Sequence, residues 1–144
     1  MEQKDYHNSI TANVSAQEAF AAIADVSAWW AKSFTGRAQQ LGDTFGVQFG
    51  TTTVDFKITE AIADKKITWL VTACHLPWLK DKTEWTGTKI VWEVTPTGNA
   101  TRVDMTHVGL VPEVECYENC ESGWNRHIAG SLFKLLTERV GQPT

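Results

Sequence analysis

The most constraining feature of this chain is a long amphipathic segment in its last quarter. Bulky side chains recur there every three or four residues, at Tyr117, Cys120, Trp124, Ile128, Leu132 and Leu135. That spacing places them on one face of a helix. The segments before it alternate apolar and polar residues, as strands do. A long helix with a bulky apolar face after a run of strands needs a concave partner, so we predict a curved sheet that grips it.

The first third of the chain predicts one strand and two short helices. Residues 5–13 have strand character, and Ser15 with Glu18 forms a capping-box pattern at the start of a helix that extends to about residue 24. Residues 26–30 predict a second short helix or a turn that ends in two adjacent tryptophans. Neighbouring residues point about 100° apart on a helix, so we expect one tryptophan in the core and the other elsewhere.

Strand-like alternation dominates from residue 42 to about residue 110. We predict about five strands there, the longest over residues 83–95, with a loop over residues 76–82 that is marked by Pro77 and several charges. Each strand has one apolar and one polar face, which is typical of an antiparallel sheet with one solvated side. The prediction is therefore one α+β domain over residues 1–144, with a curved antiparallel sheet of about six strands around the C-terminal helix.

Length and charge exclude several classes of function. The chain has 144 residues, near the usual size of one domain, and a net charge of −4 with scattered Lys and Arg, which argues against nucleic-acid binding. No segment approaches the roughly 20 apolar residues of a membrane span. The first six residues are polar and lack a signal-peptide core. Three cysteines make a disulfide framework unexpected, so we predict a cytoplasmic protein.

Aromatic residues suggest a ligand cavity between sheet and helix. Seven tryptophans is a high number for this length. Core packing is the simpler interpretation, but apolar ligand pockets are lined by the same kinds of side chain. Alternate residues of a strand share one face, and the apolar faces are expected to point inward. On this basis we predict a cavity lined by Trp30, Phe49, Phe56, Trp69, His75, Trp92, Met105, His107, Trp124 and Ile128. We expect Trp124 and Ile128 to cover a tunnel whose floor is formed by the sheet.

Three residues are candidates for acid–base chemistry. His107 shares a strand face with Val103 and Met105, and is expected either to be a hydrogen-bonded core residue or to orient or deprotonate a ligand. His75 lies an even number of residues after Trp69 on the same predicted strand, so it is expected to face inward with Trp69. Glu84 would face inward if the strand over residues 83–95 is regular, and would otherwise lie at an exposed strand end. No phosphate-binding loop or nucleophile motif accompanies these residues.

The cysteines offer little support for a metal. Cys116 and Cys120 form one pair, whereas a zinc site needs four ligands. We predict no metal and no cofactor. Cys120 is expected to be a small core residue on the Trp124 face, and Cys116 to be partly exposed near the helix start.

Several segments in order resemble a known superfamily. They are residues 26–30, 42–50, 85–94, 100–110, 123–124 and 130–132. The chain resembles the START-like, or SRPBCC (helix-grip), superfamily, and more narrowly the single-domain bacterial proteins grouped with the activator of the heat-shock-protein-90 ATPase. The resemblance implies a curved antiparallel sheet around a C-terminal helix, with a hydrophobic tunnel between them. Members of the superfamily bind apolar molecules, catalyse cyclisations or regulate chaperones.

Three functional hypotheses follow. The first is a non-enzymatic protein that binds a small hydrophobic or aromatic ligand in the cavity. The second is an enzyme that uses His107, His75 or Glu84 as acid or base on a cavity-bound substrate. The third is a protein-interaction module that regulates a chaperone or associates with itself.

Overall fold

The computed structural model describes residues 5–144 and contains one curved, seven-stranded antiparallel sheet. The strands are β1 Tyr6–Ala12, β2 Ser33–Gly36, β3 Thr44–Phe49, β4 Thr52–Ile62, β5 Lys66–His75, β6 Lys89–Thr97 and β7 Ala100–Val108. Their order is β1-β7-β6-β5-β4-β3-β2, so β2 to β7 form a meander and β1 pairs with β7. The predicted α+β helix-grip fold is confirmed. The additional strand is β2, whose four residues are too few to show an alternation pattern.

Two short helices follow β1, as predicted: α1 over Ala16–Ala24 and α2 over Val26–Trp29. The Ser15 hydroxyl accepts the backbone N–H of Glu18 at 3.1 Å, so the cap of α1 is confirmed. The expected separation of Trp29 from Trp30 is wrong, because both are buried and their rings stack at 6.0 Å. Trp30 lies just past the end of α2, where its side chain can turn toward the same core.

The C-terminal helix spans residues 117–138 and changes its winding in the middle. It consists of α3 Tyr117–Asn125, a π-helical segment Arg126–Leu132 and α4 Phe133–Glu138. Its buried residues include four at a spacing of four, namely Trp124, Ile128, Leu132 and Leu136. In a regular α-helix each step of four residues drifts by about 40°. The wider turns of the π-helical segment offset this drift, and the apolar stripe keeps facing the sheet.

The interior between sheet and helix is filled by side chains. Phe56, Trp69, Trp92 and Met105 on the sheet are fully buried, as is Ile128 on the helix. The Trp69 and Trp92 rings meet with centroids 5.4 Å apart. Such close contact resembles the packing density of ordinary protein cores. The middle of the predicted tunnel is therefore occupied by the protein's own aromatic rings.

A bulge in β5 reverses the predicted direction of its last residues. Asp55 pairs with Ala73 and Phe56 with Val71, which leaves Thr72 without an opposite residue. One extra residue flips the facing of every residue beyond it. His75 is consequently exposed, and the prediction that it points inward is wrong.

Strand β6 begins six residues later than predicted. Residues 83–88 form successive turns, in which Thr86 N–H donates to the Thr83 carbonyl and Thr88 N–H to the Trp85 carbonyl. These turns bring Trp85 beneath the start of α3, where its side chain is buried. The predicted strand over residues 83–95 is therefore wrong in its first part, and the regular strand that an inward-facing Glu84 required is not present. Glu84 lies in these turns and is half-buried.

The part of the chain that the structure describes has no helix long and apolar enough to cross a membrane. The polar residues 1–4, on which the signal-peptide prediction partly rested, lie outside the described residues.

Candidate ligand pocket

A pocket of about 400 Å³ opens at one end of the sheet, where α3 meets the β3–β4 hairpin and the loop after β5. The hairpin turns at Gly50, which has a φ of +63° that favours glycine. Fourteen residues line the pocket: Trp30, Phe49, Thr52, Val54, Leu76, Trp78, Trp85, Asn119, Cys120, Gly123, Trp124, Arg126, His127 and Thr144.

Five aromatic side chains dominate the pocket wall. Trp124 stacks between two of them, with its ring centroid 4.9 Å from that of Trp30 and 6.0 Å from that of Trp85. Phe49 packs on Trp30 at 5.7 Å. Trp78 stands at the rim with 47% of its surface exposed, and its indole N–H donates to the Thr52 hydroxyl at 3.2 Å. The wall is thus rigid and apolar, and Trp78 has the largest exposed aromatic surface in it.

Three of the ten residues predicted to line a cavity are found in this wall: Trp30, Phe49 and Trp124. Five others, Phe56, Trp69, Trp92, Met105 and Ile128, are packed in the core, and His75 is exposed on the far side of the bulge. The tenth, His107, is buried directly behind the pocket. The structure therefore concentrates the open space at one end of the predicted tunnel.

Both ring nitrogens of His107 are engaged by the protein. The Trp124 indole N–H donates to Nδ1 at 3.1 Å, so the proton of a neutral ring lies on Nε2, which meets the Thr88 hydroxyl at 2.9 Å. Thr88 in turn donates to the Trp85 carbonyl at 2.6 Å. Burial lowers the pKa of His107 from 6.5 to about 3. This geometry matches the hydrogen-bonded core interpretation and leaves no free nitrogen for proton transfer.

Glu84 and the two cysteines anchor the start of α3 to the turns at residues 83–88. The Glu84 carboxylate accepts the backbone N–H of Cys116 at 3.1 Å. Cys116 and Cys120 are joined by a disulfide, and the Trp85 indole N–H donates to Cys116 Sγ at 3.3 Å. The expectation that Cys116 is partly exposed is wrong, because its side chain is fully buried under Trp85. Cys120 is buried on the Trp124 face as predicted.

His127 is a pocket residue that the sequence analysis missed. Its Nδ1–H donates to the Gly123 carbonyl at 2.9 Å, and its Nε2 accepts from the Thr144 hydroxyl at 2.8 Å. Burial lowers the pKa of His127, and the positive charge of Arg126 lowers it further. The hydrogen bond to the Gly123 carbonyl raises the pKa and offsets part of this effect. The available signal was its position three residues after Trp124, on the predicted apolar face.

The polar groups of the pocket suit binding better than a reaction. His127 and Thr144 satisfy each other, and Thr52 is paired with Trp78. Within residues 5–144, no group of three His, Cys, Asp or Glu side chains is placed to hold a metal ion. The lining contains no Asp or Glu side chain and a single charged side chain, Arg126.

A curved antiparallel sheet that grips a C-terminal helix, with an apolar pocket at one end of their interface, defines a helix-grip protein. The family model described as "Activator of Hsp90 ATPase homolog 1-like protein" matches residues 13–137. The chain therefore belongs to that family. No match was found among the curated proteins.

Solved structures share the fold. The solution structure of the Aha1 dimer from Colwellia psychrerythraea has a TM-score of 0.76 at 23% identity, over 92% of this chain and 95% of that chain. A protein from Staphylococcus saprophyticus has a TM-score of 0.72 at 15% identity, over 96% and 95%. One from Mesorhizobium loti has a TM-score of 0.71 at 13% identity, over 95% and 100%. At these identities the likeness concerns the fold alone.

Proposed function

We propose that this protein binds a small aromatic or otherwise hydrophobic molecule in the pocket beside Trp124. The observation that carries the proposal is the stack of Trp30, Trp124 and Trp85 at the edge of an open space of about 400 Å³. That volume lies within the roughly 300–1,000 Å³ of small-molecule sites, which are typically apolar with a few polar groups. Aromatic rings also favour offset-stacked and edge-to-face contacts with a planar ligand.

Hydrophobic burial supports a moderate affinity. Removing roughly 300 Å² of apolar ligand surface from water contributes about 7 kcal/mol at about 25 cal/mol per Å². The loss of translational and rotational freedom reduces this figure. Dissociation constants between about 10 µM and about 1 mM correspond to about 7 to 4 kcal/mol. We therefore expect binding to be measurable without specific polar contacts.

The pocket can be tested by filling it. Gly123 lines the pocket and Gly130 does not. A Cβ atom at either position would meet no atom within 4 Å apart from its chain neighbours and the nearby backbone of its own helix. Both glycines lie in the C-terminal helix, Gly123 in its α-helical first part and Gly130 in its π-helical segment, so Gly123→Leu and Gly130→Leu make the same change inside and outside the pocket lining. With the neutral fluorescent probe N-phenyl-1-naphthylamine, we expect Gly123→Leu to weaken binding about tenfold or more and Gly130→Leu to leave it unchanged. Equal binding by both variants, or no binding to the wild-type protein, would refute the proposal.

A second candidate function is association with another protein. It is supported by the family description, which names an activator of the Hsp90 ATPase, and by the dimer reported for the Colwellia relative. Sedimentation velocity over a range of concentrations tests self-association, and the ATPase rate of a bacterial Hsp90 with and without this protein tests chaperone regulation. A monomer at every concentration together with an unchanged ATPase rate would remove this candidate.

The cytoplasmic location stays a prediction. In a reducing cytoplasm the Cys116–Cys120 disulfide would be open for much of the time. Alkylation of thiols in intact cells would reveal which state is present.

A further inference from the structure

The pocket lining has one charged side chain. It belongs to Arg126, and none of the fourteen lining residues is an Asp or Glu. The chain as a whole is negative, with a net charge of −4. The Arg126 guanidinium therefore places a positive charge at the mouth of an apolar pocket in a protein that is acidic overall. The influence of a charge falls off over about 8 Å at physiological salt, so the nearby Arg126 side chain contributes to the potential at the pocket mouth.

The Arg126 guanidinium has no carboxylate partner in the described part of the chain. Other arginines do: Arg102 pairs with Asp104 at 3.0 Å, and Arg139 pairs with Glu18 at 2.9 Å. Arg126 forms no salt bridge within residues 5–144, and its side chain is exposed. Its five N–H donors are thus available to a ligand, and their planar arrangement suits a carboxylate.

Helical spacing places a second donor near Arg126. Asn119 lines the same pocket, is exposed, and lies seven residues before Arg126, with Gly123 between them. Residues four and seven apart share one face of a helix. Because Gly123 has no side chain, the helix surface between the Asn119 amide and the Arg126 guanidinium is bare. An anionic group could rest there while an attached ring enters the aromatic wall.

We propose that the ligand is a planar aromatic carboxylate, with its ring against the Trp30–Trp124–Trp85 stack and its carboxylate beside Arg126 and Asn119. This inference rests on the proposed function, and adds the charge of the ligand and the residues that select it. The interaction is a charge pair at an exposed rim, so its contribution is modest. We expect it to favour the anion over a neutral isostere by about two- to fivefold.

The test compares 2-naphthoate with 2-naphthamide, which has the same ring and nearly the same shape but no charge. Titration calorimetry at an ionic strength of about 0.01 M is expected to show the two- to fivefold preference for the naphthoate. At about 1 M, where the screening length falls to about 3 Å, the preference should disappear. This salt comparison uses the wild-type protein alone and does not depend on the folding of any variant.

Two arginine variants complete the test. Arg126→Gln should remove the preference, because glutamine keeps hydrogen-bond donors but carries no charge. Arg37→Gln changes the net charge equally at an arginine outside this pocket, and should retain the preference. Equal affinities for both ligands in the wild-type protein, or a preference that survives in Arg126→Gln, would overturn the inference and leave the proposed function standing. If neither ligand binds, both fail.

Discussion

The indole N–H of Trp124, on the C-terminal helix, donates to Nδ1 of His107, on β7, at 3.1 Å. This bond joins the helix to the sheet at the back of the pocket. It also fixes the tautomer of His107, because Nδ1 must accept and Nε2 must carry the proton that meets the Thr88 hydroxyl. A protonated imidazole could accept nothing, so the bond exists only while the ring is neutral.

The neutral state of His107 predicts a specific dependence of stability on pH. Its folded-state pKa of about 3 lies below the unfolded value of 6.5, so the folded protein binds fewer protons. The resulting stabilisation is fully present above about pH 6.5 and is lost as the pH falls toward about 3. The contribution of His107 to the free energy of unfolding should decrease by about 1.4 kcal/mol for each pH unit in that window.

His107→Gln provides the control for this prediction. A glutamine amide can accept from Trp124 and donate to Thr88, but it does not titrate. In urea unfolding followed by tryptophan fluorescence, the stability difference between wild type and His107→Gln should change by about 1.4 kcal/mol per unit from pH 6.5 to pH 4. All other titrating groups are common to both proteins. Parallel stability curves would contradict a neutral, buried His107.

Trp124→Phe tests the same bond from the helix side. The change leaves His107 Nδ1 buried without a donor, a penalty of about 1–3 kcal/mol beyond the loss of packing. Trp92→Phe is a matched comparison, because Trp92 is also buried and its indole N–H has no acceptor among the described residues. We expect Trp124→Phe to cost about 1–3 kcal/mol more than Trp92→Phe in urea unfolding. Equal costs would show that the bond contributes little.

The Cys116–Cys120 disulfide is expected to add only modest stability. The two cysteines are four residues apart, and closing so short a loop in the unfolded chain is worth about 2 kcal/mol. Addition of dithiothreitol should therefore lower the free energy of unfolding by about that amount in the wild-type protein and in Cys74→Ser, which removes the free thiol. The Cys116→Ser/Cys120→Ser double variant should not respond.

Mass spectrometry checks the pairing itself. Alkylation in denaturant without a reductant should label one cysteine, Cys74, and labelling after reduction should reach all three. Three labelled cysteines in the unreduced sample would mean that the pair is open in the purified protein.

The segment after the C-terminal helix closes one side of the pocket and depends on Gly141. A Cβ atom there would lie 2.2 Å from the Ala28 carbonyl oxygen, which belongs to the backbone and cannot move aside cheaply. Nearby, Gln142 N–H donates to the Ser131 hydroxyl at 2.6 Å, and Thr144 N–H donates to the Trp30 carbonyl at 2.9 Å. We expect Gly141→Ala to release this segment and to cost about 1–3 kcal/mol.

Gly130→Ala is the counterpart of that change. Gly130 lies in the π-helical segment, and a Cβ atom there meets nothing within 4 Å. Alanine is the better helix former, so this variant should be more stable than wild type by up to about 1 kcal/mol. Urea unfolding measures both variants. A Gly141→Ala protein as stable as wild type would show that the segment is not held as described.

Much of the fold could be predicted from the spacing of apolar residues along the chain. The alternation in β3, β4 and β7, the Ser15 cap and the stripe around Trp124 each depend on local spacing, which a single sequence displays. The predictions that were wrong, such as the direction of His75, depended on pairing between segments that are distant in the sequence. The extra residue at Thr72 becomes visible only when β5 is laid against β4, and it turned His75 outward.

The pocket was harder to predict than the fold. The alternation of residues along a strand identifies which side chains point inward, but not which of them leave space between them. Phe56, Trp69 and Trp92 face the interior as expected, yet they fill it. The open end arises where the turns at residues 83–88 carry Trp85 under α3, and this depends on long-range contacts such as the bond from Cys116 N–H to Glu84.

The most direct test of the binding proposal uses the seven tryptophans as internal reporters. Four of them, Trp30, Trp78, Trp85 and Trp124, line the pocket, and three, Trp29, Trp69 and Trp92, do not. Indole N–H signals in a ¹H–¹⁵N spectrum, assigned with single Trp→Phe variants, can be followed during titration with 2-naphthoate. We expect saturable shifts in the first four signals and much smaller ones in the other three. Unchanged indole signals up to the solubility limit of the ligand, or shifts concentrated in Trp29, Trp69 and Trp92, would contradict ligand binding in this pocket.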